Sequence, residues 1–355
     1  MNRYFITMAI ISLVSCQGPG SNDELLSYFD GVPTRVLAAE ASDEIEQFGI
    51  LAPNKISVYE GAYIIKKKKA ENFVDILTPD GTVIPCVKKG RGPGELVDVG
   101  SMQMQGDTLS VYGRSQNQLL DINIPGTIAS RRQQIFGERQ VGLSDMKVSE
   151  QMIIPVYLQL SNQRIFATGM FGDKSLYVEL SQRGAPIAGV QGPALDDSRI
   201  DDMAQRVLNA SSIISISPDG NRIAAAYNQI AALSFADTTP ELRERWSKVF
   251  FQPSLWHPDN VQGVVVGYNR DGKSTFHDIQ AFNDAVYILY SGKNHEIDNE
   301  EDPSHCNHLL VFDWDGNPLK KYELKDAIAG FYVDGNVLYG VSSNPSSRIL
   351  RFRLK

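Results

Sequence analysis

The stretch Ile213-Ile214-Ser215-Ile216-Ser217-Pro218-Asp219-Gly220-Asn221-Arg222-Ile223-Ala224-Ala225-Ala226-Tyr227 decides the fold. Two apolar runs, Ile213 to Ile216 and Ile223 to Tyr227, flank a Ser-Pro-Asp-Gly turn, and Asp-Gly supplies the positive φ angles that a tight hairpin needs. The same form recurs at Thr78-Pro79-Asp80-Gly81, Asn269-Arg270-Asp271-Gly272, Asp313-Trp314-Asp315-Gly316 and Val333-Asp334-Gly335-Asn336. One such turn would mean little, but a series implies repeated hairpins. Short apolar runs at Tyr63 to Ile65, Leu109 to Tyr112, Ile165 to Thr168, Ala285 to Tyr290 and Leu309 to Phe312 read as further strands. Divergent strand-turn repetition is the pattern of a β-propeller, whose four-stranded blades bury their faces only against one another. Spread from about residue 40 to the end, six blades take ~53 residues each and seven take ~45, both acceptable blade lengths. The all-β reading is therefore a six-bladed propeller, with seven blades as the alternative.

The last repeat, from about residue 326, offers only three strands: Gly330 to Tyr332, Val337 to Val341 and Ile349 to Leu354. A strand from the N-terminal region, near residues 35 to 50, is expected to supply the fourth and close the ring, which removes exposed edges. Two segments break the β pattern. Thr238-Thr239-Pro240-Glu241 looks like a helix start and predicts a short helix running on through Val249. Asp196 to Asn209 is a weaker helix candidate with a poor apolar stripe.

Composition is that of a folded chain: 42% hydrophobic and 21% charged, with Gly and Pro spread throughout. The N-terminus, Met1-Asn2-Arg3 followed by an apolar run from Tyr4 to Val14, is too short to span a bilayer and reads as a secretion signal. Leu13-Val14-Ser15-Cys16 resembles the lipobox of bacterial lipoproteins, which implies cleavage before Cys16 and its lipidation; an ordinary signal peptide that happens to contain a cysteine is the alternative. The expected organisation is a signal peptide over residues 1–15, a lipidated Cys16 with a Gly-rich flexible tether over 16–34, and a single propeller over 35–355. The expected address is the cell envelope, as an outer-membrane lipoprotein facing the periplasm or the exterior. The net charge of -8 opposes nucleic acid and anionic lipid as general partners. Beyond Cys16 only Cys86 and Cys306 remain, in a compartment that permits a bridge; two free, partly buried thiols are the alternative.

Three stretches carry a family resemblance. Gly90-Arg91-Gly92-Pro93-Gly94-Glu95 resembles a G-x-G-P-G-E signature of six-bladed propellers common in Bacteroidetes. Leu289-Tyr290-Ser291-Gly292-Lys293 and the later Val311-Phe312-Asp313-Trp314-Asp315-Gly316-Asn317-Pro318 resemble the penultimate blade of TolB-like six-bladed propeller lipoproteins from the same bacteria. The resemblance implies a six-bladed ring at the cell envelope and brings no catalytic residues with it.

Among candidate sites, Gly90 to Glu95 lacks the Gly-Lys-Ser/Thr of a phosphate loop, and Glu95 stands where an anion would bind, so Gly90, Gly92, Pro93, Gly94 and Glu95 read as a blade-to-blade turn. The acidic stretch Asn294 to His308 holds His295, His305, His308 and Cys306 and is the leading candidate for a metal site. A long solvated hairpin loop is the reading preferred over the metal site, because His305 and His308 are not an i, i+4 pair and no second Cys stands at ligand spacing. No cofactor is predicted; a structural metal ion is the one addition this loop admits. Lys66 to Lys69 reads as a solvated strand end, or as a docking spot for an acidic partner. Trp246, Phe250, Phe251, Trp256 and His257 read as core packing, with an aromatic platform for sugars as the alternative. No Gly-x-Ser-x-Gly elbow or His-Glu-x-x-His is present. The expectation is a membrane-tethered, non-enzymatic module that binds an envelope protein, peptide or glycan. The rival is a polysaccharide hydrolase or lyase with two carboxylates converging at the channel mouth.

Overall fold

The computed structural model describes residues 23–68, 71–141, 154–171, 174–195, 202–252, 255–256, 267–268, 272–294 and 302–354. The chain enters through α1 (Glu24–Tyr28), β1 (Thr34–Leu37) and β2 (Ala41–Glu44). Blade 1 follows with β3 (Pro53–Tyr59), β4 (Ala62–Lys67), β5 (Asn72–Leu77) and β6 (Val83–Lys88). Blade 2 contains β7 (Ser101–Gln105), β8 (Thr108–Gly113), β9 (Gln118–Asn123), α2 (Ile124–Ser130) and β10 (Ile135–Gln140). Blade 3 contains β11 (Ile154–Ser161), β12 (Arg164–Met170), β13 (Tyr177–Leu180) and β14 (Pro186–Val190), and α3 (Asp202–Ala210) leads out of it. Blade 4 contains β15 (Ser212–Ile216), β16 (Arg222–Tyr227), β17 (Ala231–Asp237) and β18 (Arg243–Phe251). A two-stranded ribbon of β19 (Leu255–Trp256) and β20 (Gly267–Tyr268) separates it from blade 5, which contains β21 (Phe276–Ala281), β22 (Val286–Tyr290), β23 (Cys306–Phe312) and β24 (Pro318–Ile328). Blade 6 contains β25 (Gly330–Asp334), β26 (Val337–Ser342) and β27 (Arg348–Arg353).

Each blade is an antiparallel meander with its first strand innermost. Blade 6 is completed by β2, which pairs antiparallel with β27 from Ala41↔Arg351 to Glu44↔Arg348, so the ring closes as six blades with an N-terminal strand. The apolar core divides into six clusters, one in each gap between neighbouring blades. This is why the middle strands are buried on both faces: β16 is all but continuously buried, with Ala224, Ala226 facing blade 5 and Ile223, Ala225, Tyr227 facing blade 3. The Asp-Gly turns close hairpins as expected. Gly81, Gly220, Gly316 and Gly335 all have positive φ, and in the Ser217 turn Gly220 donates to the Ser217 carbonyl at 2.8 Å. Asn269 to Asp271 lie outside the described residues.

Two sequence expectations are overturned. Residues Arg243–Phe251 form strand β18, not a helix. Pairing with β17 satisfies the backbone that a helix would have satisfied internally, and Trp246 packs between Phe235 (5.1 Å between ring centroids) and Phe312 (6.2 Å) while lying flat over Gly316. Tertiary packing here outweighs a local helix signal. The second correction concerns the tether. From Asp23 onward it is built structure: Leu25 and Phe29 of α1 are fully buried against Phe250, Phe276 and Phe312, and β1 adds to blade 5 as a fifth strand parallel to β24. Burial of two such side chains is worth about 1.5–3 kcal/mol each, enough to hold a short helix that would not persist alone. Of the weaker helix candidate, residues 202–209 fall in α3, and residues 196–201 lie outside the described residues.

Candidate functional site

One face of the ring carries the hairpins between the first and second strands of every blade, here called the hairpin face. The other carries the second-to-third-strand turns and the links between blades, the crossover face. A cavity of about 580 Å3 opens on the hairpin face along the ring axis and is lined by the innermost strand of all six blades. Its residues follow a common rule. On each inner strand the apolar set faces one neighbouring blade, as with Met102 and Ile56, while the alternate set, polar in five of the six blades, faces the axis. The polar set includes Lys55 and Ser57, Gln103 and Gln105, Gln159 and Ser161, Ser215 and Ser217, and Gln280, with Asp334 at the rim of blade 6.

Much of this polar set closes blade edges. An inner strand has a free edge whose N–H and C=O groups need partners. Gln103 accepts from Leu160 N–H at 2.7 Å and donates to its carbonyl at 2.9 Å, so one amide imitates a strand residue; Gln280 does the same for Val333 at 2.7 and 3.1 Å. Ser101 bonds both backbone groups of Leu158, and Ser215 accepts from Ala281 N–H at 3.0 Å. The cavity hydroxyls of Ser57 and Ser161, by contrast, have no hydrogen-bond partner among the described residues, although both residues are buried.

The floor is a polar plug made by three alternate blades. Lys55 of blade 1 forms a short ion pair with Asp278 of blade 5, and Tyr157 of blade 3 lies in their field. Asp278 also accepts N–H groups from Ile279 and Phe331, each at 2.9 Å, so the carboxylate is both charge-paired and hydrogen-bonded. Burial opposes the charge on Lys55, but Asp278 outweighs it and holds the ammonium above its usual range. Burial raises the Tyr157 phenol. Beyond the plug, Lys66 stands opposite Lys55 in the β3–β4 register; burial, then the Lys55 charge, lowers it to about 8.

The sequence candidates fall elsewhere. Gly90 to Glu95 links β6 to β7 at the rim: Glu95 folds back to accept Gly92 N–H at 2.9 Å, and a Cβ at Gly90 would sit 1.9 Å from its carboxylate oxygen, so any larger residue there would push Glu95 off this contact. Gly94 has positive φ and its N–H meets Glu138 at 3.3 Å, and Pro93 lies between them. His295 lies outside the described residues, as does Cys16. His305 is buried with both ring nitrogens engaged: Ser343 N–H donates to Nε2 at 3.1 Å, which leaves Nδ1 to donate to Asp302 at 3.0 Å. Burial lowers its pKa, against the pull of Asp302. His308 is half-buried on β23, with its Nδ1 atom enclosed and lacking a partner among the described residues. No group of three or more His, Cys, Asp or Glu suited to a metal occurs among the described residues. Cys86 and Cys306 are free, buried in blades 1 and 5, and burial pushes the Cys86 thiol up to about 12.

The lysine run is a further correction. Lys66 and Lys67 turn inward, Lys67 pairing with buried Asp75, because β4 is a middle strand with neighbours on both faces; only Lys68 is exposed, where it bonds Ser304. Lys69 lies outside the described residues, as does His257. Trp246 and Phe250 belong to the core between blades 4 and 5, with Phe251 packed against it. Among the described lining residues of the cavity the carboxylate is Asp334, and Asp278 of the floor is already engaged with Lys55 and two backbone N–H groups.

Ring, blind axial cavity and edge-closing amides define the chain as a six-bladed β-propeller. Residues 47–336 match the TolB-like 6-blade propeller-like family, and the chain belongs to it. Comparison with curated proteins returns no match. Among solved structures, a member of the DUF4221 family from Bacteroides vulgatus is similar at 11% identity and TM-score 0.51, covering 90% of this chain and 97% of that one. The Pan2 WD40 domain of Neurospora crassa is similar at 8% identity and TM-score 0.48, covering 90% and 96%. At such identities the likeness is one of fold.

Proposed function

We propose that the protein is a non-enzymatic binding module, an outer-membrane lipoprotein held by Cys16, whose axial cavity receives an uncharged, hydrogen-bonding segment of a glycan or peptide. The observation that carries this reading is the cavity lining: amides and hydroxyls from the inner strands, two of the hydroxyls without a partner among the described residues, over a plug whose charges neutralise each other. Its volume of about 580 Å3 lies within the range of small-molecule sites. The aromatic rings of Phe282, Phe331 and Tyr332 also contribute to the lining, and rings of this kind suit the apolar face of a sugar. The lipid anchor rests on the lipobox at Leu13 to Cys16. Among the described residues no helix is long and apolar enough to cross a membrane.

The test is thermal unfolding of the mature chain carrying Cys16→Ser, against neutral oligosaccharides, uncharged peptides and charged counterparts of each. A ligand at ~100 times its dissociation constant adds ~2.7 kcal/mol and raises Tm measurably. A shift with a neutral ligand that disappears in Ser57→Tyr, whose ring fills the cavity, supports the reading. A shift that survives this substitution places the binding site elsewhere and refutes it.

A further inference from the structure

We propose that the crossover face of the ring meets the lipid bilayer, so that the cavity mouth on the hairpin face points away from the membrane; this rests on the lipid anchoring of Cys16 proposed above. The docked N-terminal helix carries the argument. Asp23, which caps α1, accepts the Tyr290 hydroxyl at 2.5 Å and lies 3.9 Å from the Lys273 ammonium. Tyr290 ends β22 where the chain leaves for the crossover face, and Lys273 precedes β21 on that same side. From there α1 descends along the gap between blades 4 and 5, and the Tyr28 hydroxyl reaches the Gly316 carbonyl in a turn on the hairpin face. The chain therefore enters the ring at its crossover end.

The leash is short. Six residues lie between Cys16 and Asp23, and the seven Cα-to-Cα steps fully extended span at most about 25 Å. A seven-residue strand such as β23 is itself about 23 Å long. To bring the hairpin face onto the bilayer, the leash would have to run fully extended down the whole height of blade 5. With the crossover face toward the membrane it needs no such stretch. Two buried side chains and two hydrogen bonds fix where the leash begins, so inverting the ring requires the leash to be drawn out almost completely.

The orientation is read with the full lipidated chain in phosphatidylcholine vesicles containing nitroxide-labelled lipid. Two exposed positions of blade 6 at opposite ends are each given a fluorophore: Gln47→Cys, between β2 and β3 on the crossover face, and Asn336→Cys, in the β25–β26 hairpin. Native Cys86 and Cys306 are buried and stay unlabelled. The expected result is quenching several-fold stronger at position 47 than at 336. Equal or reversed quenching in protein that floats with the vesicles overturns the orientation alone. Protein that fails to float, or whose Cys16 carries no acyl chain by mass spectrometry, overturns the anchoring and the orientation with it.

Discussion

Removing the carboxylate of Asp278 tests the central plug. In Asp278→Ala the Lys55 ammonium loses its partner while remaining largely enclosed, and the Phe331 N–H loses its acceptor. Breaking one side of a buried pair costs about 3–5 kcal/mol, and an orphaned N–H about 1–3, with overlap between the two. A total near 4 kcal/mol lowers Tm on the order of 10 °C in a domain of this size. Lys55→Met is expected to cost less, about 2 kcal/mol, because Asp278 keeps two backbone N–H donors. Asp278→Ala in the Lys55→Met background is expected to cost far less than the two changes summed, since removing both charges ends the desolvation penalty. Urea unfolding of the four proteins in a double-mutant cycle gives the coupling. The pair's contribution is complete below the ordinary lysine value of 10.5 and fades as pH climbs through the higher folded-state value. Equal and additive losses for the two single changes would refute the account of the plug.

Lys66→Met is expected to stabilise the fold at neutral pH by about 1–3 kcal/mol, because a lysine lowered to about 8 penalises folding whenever it must be charged; the gain should shrink between pH 8 and 10.5, and a loss of stability instead would show that Lys66 has a partner. His305, lowered by burial, should make the protein acid-labile, with stability falling as pH drops through 6.5, and His305→Gln should flatten that dependence while costing about 1–3 kcal/mol for the orphaned Ser343 N–H. Because both His305 nitrogens are engaged, EDTA is expected to leave Tm unchanged, and a drop of several degrees would establish a structural metal. Neither Cys86 nor Cys306 should react with a thiol reagent until the protein unfolds, which stopped-flow labelling against unfolding rate would check.

The ring and its closure were legible because turn chemistry is local: Asp-Gly needs no knowledge of the neighbouring blade to make a hairpin. Its last three strands and the missing fourth could be counted directly, and β2 fills that place. The strand β18 departs from its local signal because Thr238 to Glu241 carries real capping residues, and what overrides them is the edge of β17, one hairpin back, and the ring of Phe312, distant in sequence. The lysine run was misread for a related reason. A charged strand residue normally faces water, but Asp75 sits one strand away to receive Lys67. The cavity had a signal that went unused: Ser101-Met102-Gln103-Met104-Gln105, Tyr157-Leu158-Gln159-Leu160-Ser161 and Asp278-Ile279-Gln280-Ala281 alternate polar and apolar in the first strand of their blades. Middle strands such as β16 and β17 do not, because both their faces are covered.

The pairing of β2 with β27 also sets an order of events during synthesis. Ala41 waits for Arg351, so β2 leaves the ribosome long before its partner β27. Until β27 is made, blade 1 lacks its neighbour on one side, and blade 5 waits with it for the strand that completes blade 6. A chain that stops before β27 leaves an open ring with two unsatisfied edges, a ready substrate for proteases. The seam thus acts as a check: only a chain that reaches β27 acquires the protected, closed form.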